Sequence, residues 1–435
     1  MTEYDVIIVG GRPAGSTLAA RLGKRGIRTL IVERSTFPSL PAVSSPIIYA
    51  STMTLLDEIG ADEDEYARNT PKIEKVHFSG AGFEAGFPIP TVDGRAYAYA
   101  IDRARFDHAL WNTAQRYESV TAWDSFHVTD LLREDERVNG IIGKNAAGEE
   151  LTLTAKLVVG ADGRYSLVAR KTEAEIRDEH TELPTSIYYA YWKNVLPYDA
   201  TGNPVSVAYE GEAGVGYLVM DSADSQTVIA VEGRADVVDA TAGEIEAFYE
   251  RMLLKQPQIA ARIVDADMVT TVRGMKRVSN FYRQPGGDGW ALTGDAYHQK
   301  DPLDGQGIYN AVFTAKALAW AIDYWHRGEK SWDEALDWYD ETARIKTYAM
   351  YKSLLNRVDL SFFNRQEMPE QFQQWLMNDP LMQDVLGRFI TRQFPADMMR
   401  VMTPALMGTA IVRGGLRDLR QRVEKRLQFP FGERT

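Results

Sequence analysis

The chain has 435 residues, 45% hydrophobic and 25% charged, with a net charge of −12; such a chain can bury a large core, and its length predicts two or three domains or one large discontinuous one. The acidic balance argues against a broad nucleic-acid surface, and the absence of cysteine excludes disulfides, thiolate nucleophiles, Cys-based zinc sites and dithiol redox chemistry, so any redox work needs a bound cofactor. The six histidines are scattered with none at H-x-x-x-H spacing, so no metal is expected. No apolar run reaches the ~18 residues of a membrane span, and an amino terminus that enters a strand without a basic n-region predicts a cytoplasmic protein.

Tyr4 to Val9 (YDVIIV) is a β-branched run ending in glycine and reads as a buried parallel strand. Ala14 to Lys24 has helical spacing, Gly26 stops it, and Arg28 to Val32 (RTLIV) is a second strand closed by Glu33. Between the first strand and the helix stands GGRPAG, Gly10 to Gly15, with Arg12 where a G-x-G-x-x-G turn has its middle glycine. The context is that of a dinucleotide-binding βαβ unit: Gly10 for the tight turn, Gly15 for close helix–strand packing, the helix N-terminus for a pyrophosphate and Glu33 as an acceptor for ribose hydroxyls. Pro13 fits a first helical turn. The side chain of Arg12 must turn outward, either toward phosphate charge or into solvent.

Further along, residues 76 to 100 and 183 to 275 hold alternating, aromatic-rich stretches such as SIYYAYW (186 to 192), VSVAYEG, GVGYLVM and TVIAVEG, which read as an antiparallel sheet. Its tyrosines either line a cavity or pack the sheet. GEAGVG (211 to 216) mimics a nucleotide loop but has no helix after it. LVVGADGRYS (157 to 166) is a buried strand running into a turn at Asp162 and Gly163. WALTGDAYHQKDPLDGQGIYN (290 to 310) is another strand, an acid at Asp295, and a Pro/Gly-rich approach to a helix whose apolar face carries Ile308, Val312, Ala315, Ala319 and Ile322. From about residue 331 the chain reads helical. Its last helix places Leu416, Leu419, Val423 and Leu427 on one face among arginines, either against the protein itself, the favoured reading, or on an anionic membrane.

Three nucleotide-site elements in this order resemble the FAD-dependent oxidoreductases of the para-hydroxybenzoate hydroxylase type, over roughly residues 1 to 330. DRARFDHAL (102 to 110) is similar to that family's R-x-x-F-D-x-x-L helix start. The resemblance implies an α/β fold: a Rossmann-like FAD-binding domain with a parallel sheet (1–75, 98–175 and 276–335), an inserted antiparallel-sheet substrate domain (76–97 and 176–275) and a helical C-terminal region (336–435). It implies FAD, with Gly10, Arg12, Ala14, Gly15, Glu33 and Arg34 at the ADP part and Arg103, rather than Arg105, at the pyrophosphate. Asp162 and Gly163 would brace the nucleotide, Asp295 would take the ribityl chain, and Pro302, Gly305, Gln306, Gly307 and Ile308 the ring edge. Ser44, Ser45 and Pro46 would border the flavin.

His298, Lys300 and Asp304 lie in the loop between the ribityl acid and the glycine-rich helix start and are the acid–base candidates. The plainer alternative makes Lys300 and Asp301 a solvated pair and His298 a spacer. The implied activity is an NAD(P)H-using monooxygenase acting on an apolar or aromatic small molecule through a flavin C4a-hydroperoxide, the reductant visiting without a Rossmann domain of its own. PLDGQGIYNAV and DRARFDHAL also look like geranylgeranyl reductases, which saturate isoprenoid double bonds, and a flavin-binding redox protein is a third reading. Flavin-dependent halogenases share the scaffold, but their W-x-W-x-I-P signature is absent. Where hydroxylases read P-x-x-G-x-G-x-N, Tyr309 holds the asparagine's position and Asn310 follows it, a helical rotation of about 100°, so Asn310 is not expected at the flavin.

Overall fold

The computed structural model describes residues 4–40, 46–80, 83–365, 369–393 and 403–428. Its first sheet takes in the runs that read as buried parallel strands and adds Val120–Trp123, for which no strand was expected. In spatial order these are Trp290–Leu292, Glu150–Gly160, β1 (Tyr4–Val9), β2 (Thr29–Val32) and Val120–Trp123, every neighbouring pair parallel. Continuous apolar strands such as these need both faces covered. Helix α1 (Pro13–Gly23) is buried over most of its length and packs against both Arg103–Gln115 and Gly307–His326. A hairpin, His127–Glu134 with Arg137–Lys144, pairs antiparallel with the first half of Glu150–Gly160; its strands carry no motif and were not anticipated.

The second sheet runs Asp267–Met268, Thr185–Lys193, Thr227–Arg234, Val215–Asp221, Ser206–Glu210, Lys75–Gly80, Phe83–Pro88, with Arg273–Met275 also on Thr185–Lys193. It is antiparallel except for Ser206–Glu210 against Lys75–Gly80, which is parallel. Those two strands are far apart in sequence, so no hairpin turn dictates their direction. Period-2 alternation sorts the tyrosine-rich strand: Tyr188, Ala190 and Trp192 face a core shared with the helix Ile245–Leu254, whereas Ile187, Tyr189 and Tyr191 face the opposite way with Val228, Ala230 and Met275. GEAGVG is the turn between two of these strands, closed by Gly211 N to Val215 O. Ile176–His180 does not join this sheet as expected. It pairs with Asn280–Arg283, which pairs with His298–Gln299.

The C-terminal part is helical. Trp332–Val358 starts from a capping box of Ser331 and Glu334, where the chain was expected to turn helical, and packs on Gly307–His326. Pro380–Ile390 brings Leu386 and Ile390 to the cleft-facing side of the second sheet. The last helix, Pro404–Gln428, docks through Ala410 and through Gly414 against Trp375. The face expected to dock is the one left outside: Leu416, Leu419 and Val423 are 48 to 60% exposed, as is Val412 before them at 62%. The side chain of Leu427 lies outside the described residues.

Candidate functional site

The turn after β1 is made by its glycines. Gly10 has φ +104°, and a Cβ there would stand 2.4 Å from the Ala161 carbonyl oxygen, so only glycine fits at the point where β1 meets the end of its neighbour. A Cβ on Gly15 would lie 1.8 Å from the Gly10 oxygen, which makes Gly15 the position where α1 closes on β1. Pro13 opens that helix. The Glu33 carboxylate braces the turn, accepting from Gly11 N at 2.8 Å and Ser35 N at 3.1 Å.

Arg12 turns neither to solvent nor to a free phosphate site. Its Nη1 donates to Asp107 Oδ2 at 2.7 Å and to the Ser39 carbonyl at 3.1 Å. Asp107 is fully buried and also accepts from Arg103 Nε and Nη2 at 3.0 and 2.9 Å. Two arginines thus share one carboxylate, tying the turn after β1 to the helix Arg103–Gln115 and to the segment at Ser39. Arg105 points away, to Asp224 at 2.8 Å.

A cavity of about 550 Å³ opens at the carboxyl ends of the parallel strands. Gly10, Arg12, Ala14, Glu33, Arg34, Arg103, Asp162, Gly163, Asp295, Lys300, Pro302, Gly305, Gly307 and Ile308 all line it. Residues more than 250 positions apart therefore meet around one space. Gly15, Gln306, His298 and Asp304 are not in the lining. Ser44 and Ser45 lie outside the described residues, and Pro46 accepts from Ile101 N without reaching the cavity.

Asp162 accepts from Ser166 Oγ at 2.5 Å and Leu167 N at 2.6 Å, fixing the turn between strand and short helix; its burial raises its pKa. Arg164, which the motif reading passed over though it stands two residues on, lines the cavity, with Nε 3.2 Å from Asp295 Oδ2 and Nη2 donating to the Lys300 carbonyl at 2.9 Å. Its Nη1 is buried with no partner among the described residues. Phe126, His127 and Val128, at the start of the hairpin, also line the cavity and were unforeseen, whereas Ile187, Gly274 and Met275 come from the second sheet, the one expected to face the substrate. Neither group carries a signature; only tertiary packing brings it there.

The loop between Asp295 and the long helix separates the three acid–base candidates. Lys300 faces the cavity although its side chain is buried, and Nζ donates to Gln306 Oε1 at 2.6 Å. Burial, with Arg392 nearby, lowers its pKa to about 7, against the pull of Asp304, Asp295 and Asp301. Asp304 holds Arg357 and accepts from Gln306 Nε2 at 3.0 Å. His298 is packed behind the loop, its ring stacked on Tyr282 at 3.7 Å and its Nδ1 on the Phe281 carbonyl, and burial takes its pKa well below the ordinary value. The alternative of a solvated Lys300–Asp301 pair is also excluded, since both residues are buried, Asp301 accepting from Thr185 Oγ1 and Leu303 N. Asn310 does not line the cavity, and Tyr309 stacks on Phe313 instead.

Comparison with known proteins agrees with this frame. The chain is 25% identical over 328 residues, 74% of itself and 78% of the relative, to a 1H-pyrrole-2-carbonyl-(peptidyl-carrier protein) brominase of Pseudoalteromonas luteoviolacea. It is 25% identical over 367 residues, 82% of itself and 87% of the relative, to a digeranylgeranylglycerophospholipid reductase of Methanocaldococcus jannaschii. Among solved structures, the flavin-dependent brominase Bmp2 superposes with a TM-score of 0.78 at 21% identity, covering 95% of this chain and 99% of that one. The FAD binding domain family matches residues 3–352. The chain belongs to that family: it is a flavoprotein whose cofactor is FAD, and an FAD-dependent oxidoreductase.

Proposed function

We propose that the protein is an NAD(P)H-using monooxygenase acting on a small apolar or aromatic molecule. Two features support a cofactor in the cavity. Arg164 Nη1 is a buried donor without a partner among the described residues, and Gly307 leaves open space where a Cβ would be. On this reading Gly10, Ala14, Glu33 and Arg34 hold the ADP part, Arg103 the pyrophosphate, Asp295 with Arg164 the ribityl chain, and Pro302, Gly305, Gly307 and Ile308 the ring edge. The first turn of Gly307–His326 turns its partial positive charge toward that edge. Bound FAD, once reduced, supplies the oxygen-activating redox chemistry.

The observation that carries the reading is Lys300, a buried amine at the cavity with a pKa of about 7. Neutral, it takes a proton from a substrate hydroxyl and makes the ring electron-rich; protonated, it is steadied by Asp295, Asp301 and Asp304. The second sheet contributes Ile187, Gly274 and Met275 to the lining, an apolar roof. A second reading, reduction of an isoprenoid double bond, is favoured by the similarity to the digeranylgeranylglycerophospholipid reductase over 82% of the chain.

The test is anaerobic reduction with NADPH followed by mixing with oxygen and candidate aromatics, tracking ¹⁸O from labelled dioxygen. Label in the product supports the monooxygenase. Saturation of a polyprenyl substrate under nitrogen, or halogenated product when bromide is added, replaces it.

A further inference from the structure

The cleft-facing side of the second sheet is apolar by alternation: on Thr227–Arg234, Val228 and Ala230 point to it while Ile229 and Val231 point away. The next residue in that phase is Glu232. It stands directly across from Ile187, which lines the cavity, and from Gly216. A carboxyl here breaks the pattern. It is 9% exposed, and Oε1 finds no hydrogen-bond partner among the described residues.

What faces it is another carboxylate. Asp301, in the loop that carries Lys300, Pro302 and Gly305 to the cavity, is, after burial, the chief influence on the Glu232 carboxyl. Asp301 already accepts from Thr185 Oγ1 and from Leu303 N at 2.9 Å. Asp304 approaches from the same loop and Arg164 from the turn beyond Glu150–Gly160. Lys300 is turned to Gln306 and Arg357 to Asp304. Two carboxyls in contact at a buried boundary need one proton between them.

We propose that Glu232 is a positioning residue: a protonated carboxylic acid whose O–H donates to Asp301 and clamps the second sheet onto the loop that forms the cofactor's ring-end edge. Burial and the neighbouring acids Asp301 and Asp304 push its pKa well above the glutamate range, so the clamp holds at neutral pH. When the proton leaves, two adjacent carboxylates, with Asp304 behind them, drive the loop and the sheet apart, and the cavity loses its edge. This inference rests on the reading of the cavity as the FAD site.

Two measurements test it. Infrared spectroscopy of protein labelled with ¹³C-glutamate, without cofactor, is expected to show the carbonyl stretch of a protonated carboxylic acid at pH 7, absent from Glu232→Gln and lost as the pH is raised. Calorimetric titration with FAD is expected to show wild-type affinity level at low pH and falling by up to about tenfold per pH unit above the pKa of the pair. Glu232→Gln, whose amide donates to Asp301 at any pH, keeps the low-pH affinity with no alkaline fall, and Glu232→Ala binds more weakly than the glutamine variant throughout. A wild-type spectrum without the band overturns the proposal, and so does an unchanged alkaline fall in Glu232→Gln or equal binding by the alanine and glutamine variants. If FAD binds at no pH, the cofactor site is misplaced, while the infrared band still decides where the proton is.

Discussion

Lys300 offers a prediction whose size can be worked out. Its pKa falls from 10.5 to about 7 on folding, and each unit is worth about 1.36 kcal/mol, so carrying a charged Lys300 costs the fold about 5 kcal/mol relative to water. The sign follows from proton counting. A base with a depressed pKa costs most below its folded value, where both states are charged. The cost shrinks as pH rises, because the folded state gives up its proton before the unfolded chain does, and it vanishes above 10.5. Lys300→Met removes the charge, keeps most of the volume, and forfeits about 1 kcal/mol for the hydrogen bond to Gln306. The variant without cofactor is therefore expected to be more stable than wild type by about 3–4 kcal/mol at pH 6.5 and roughly equal to it at pH 9.5, where the charge costs only about 1.4 kcal/mol. Urea unfolding at the two pH values, followed by tryptophan fluorescence, measures the difference. The same stability gap at both refutes the claim that this amine titrates near neutrality.

Gly15→Val is expected to abolish FAD binding, since its Cβ would fall 1.8 Å from the Gly10 oxygen and force α1 off β1; normal flavin content in the purified variant would refute this. Arg12→Ala leaves Asp107 with Arg103 and unties the segment at Ser39, and should lower stability by about 1–3 kcal/mol, read from the urea midpoint; an unshifted midpoint would show that the arginine pair is not structural. His298→Phe keeps the stack on Tyr282 and loses one hydrogen bond, so the pH profile of NADPH oxidation should not move; a displaced profile would return His298 to the list of acid–base groups.

The parts of the site legible in the sequence are those where backbone geometry dictates residue type. Gly10, Gly15 and Pro13 could be read because a turn of that shape tolerates little else. Gly305, at φ +60°, was legible for the same reason, whereas Asp295 was reached only through the family resemblance. Side-chain destinations were not legible. Arg12 had two readings from spacing alone, and the answer, Asp107, lies 95 positions away on a helix whose own motif drew attention to Arg103. His298, Lys300 and Asp304 were equivalent as titratable residues in one loop, and only burial separates a stacked ring, a cavity amine and the carboxylate that holds Arg357. Glu232 was invisible because it sits among residues that read as sheet packing, and the alternation that exposes it needs the register of Thr227–Arg234 against Thr185–Lys193.

Charge shows the same divide between what composition says and what folding arranges. The chain carries 61 acidic and 49 basic residues, which speaks against an anionic partner in general. The cavity inverts that balance: Arg12, Arg34, Arg103, Arg164, Arg170 and Lys300 line it, against Glu33, Asp162, Asp295 and Asp301. Several of those acids are already committed, Glu33 to backbone amides and Asp162 to the turn after its strand, so they shape the walls more than they repel a ligand. The cations are committed too, Arg12 and Arg103 to Asp107 and Arg164 to Asp295, the last keeping one donor without a partner among the described residues, beside the first turns of two helices, α1 and Gly307–His326, that add partial positive charge. An elongated anion with charge near its middle suits that field, whereas Lys300 owes its lowered pKa to burial, helped by Arg392 and opposed by Asp304, Asp295 and Asp301.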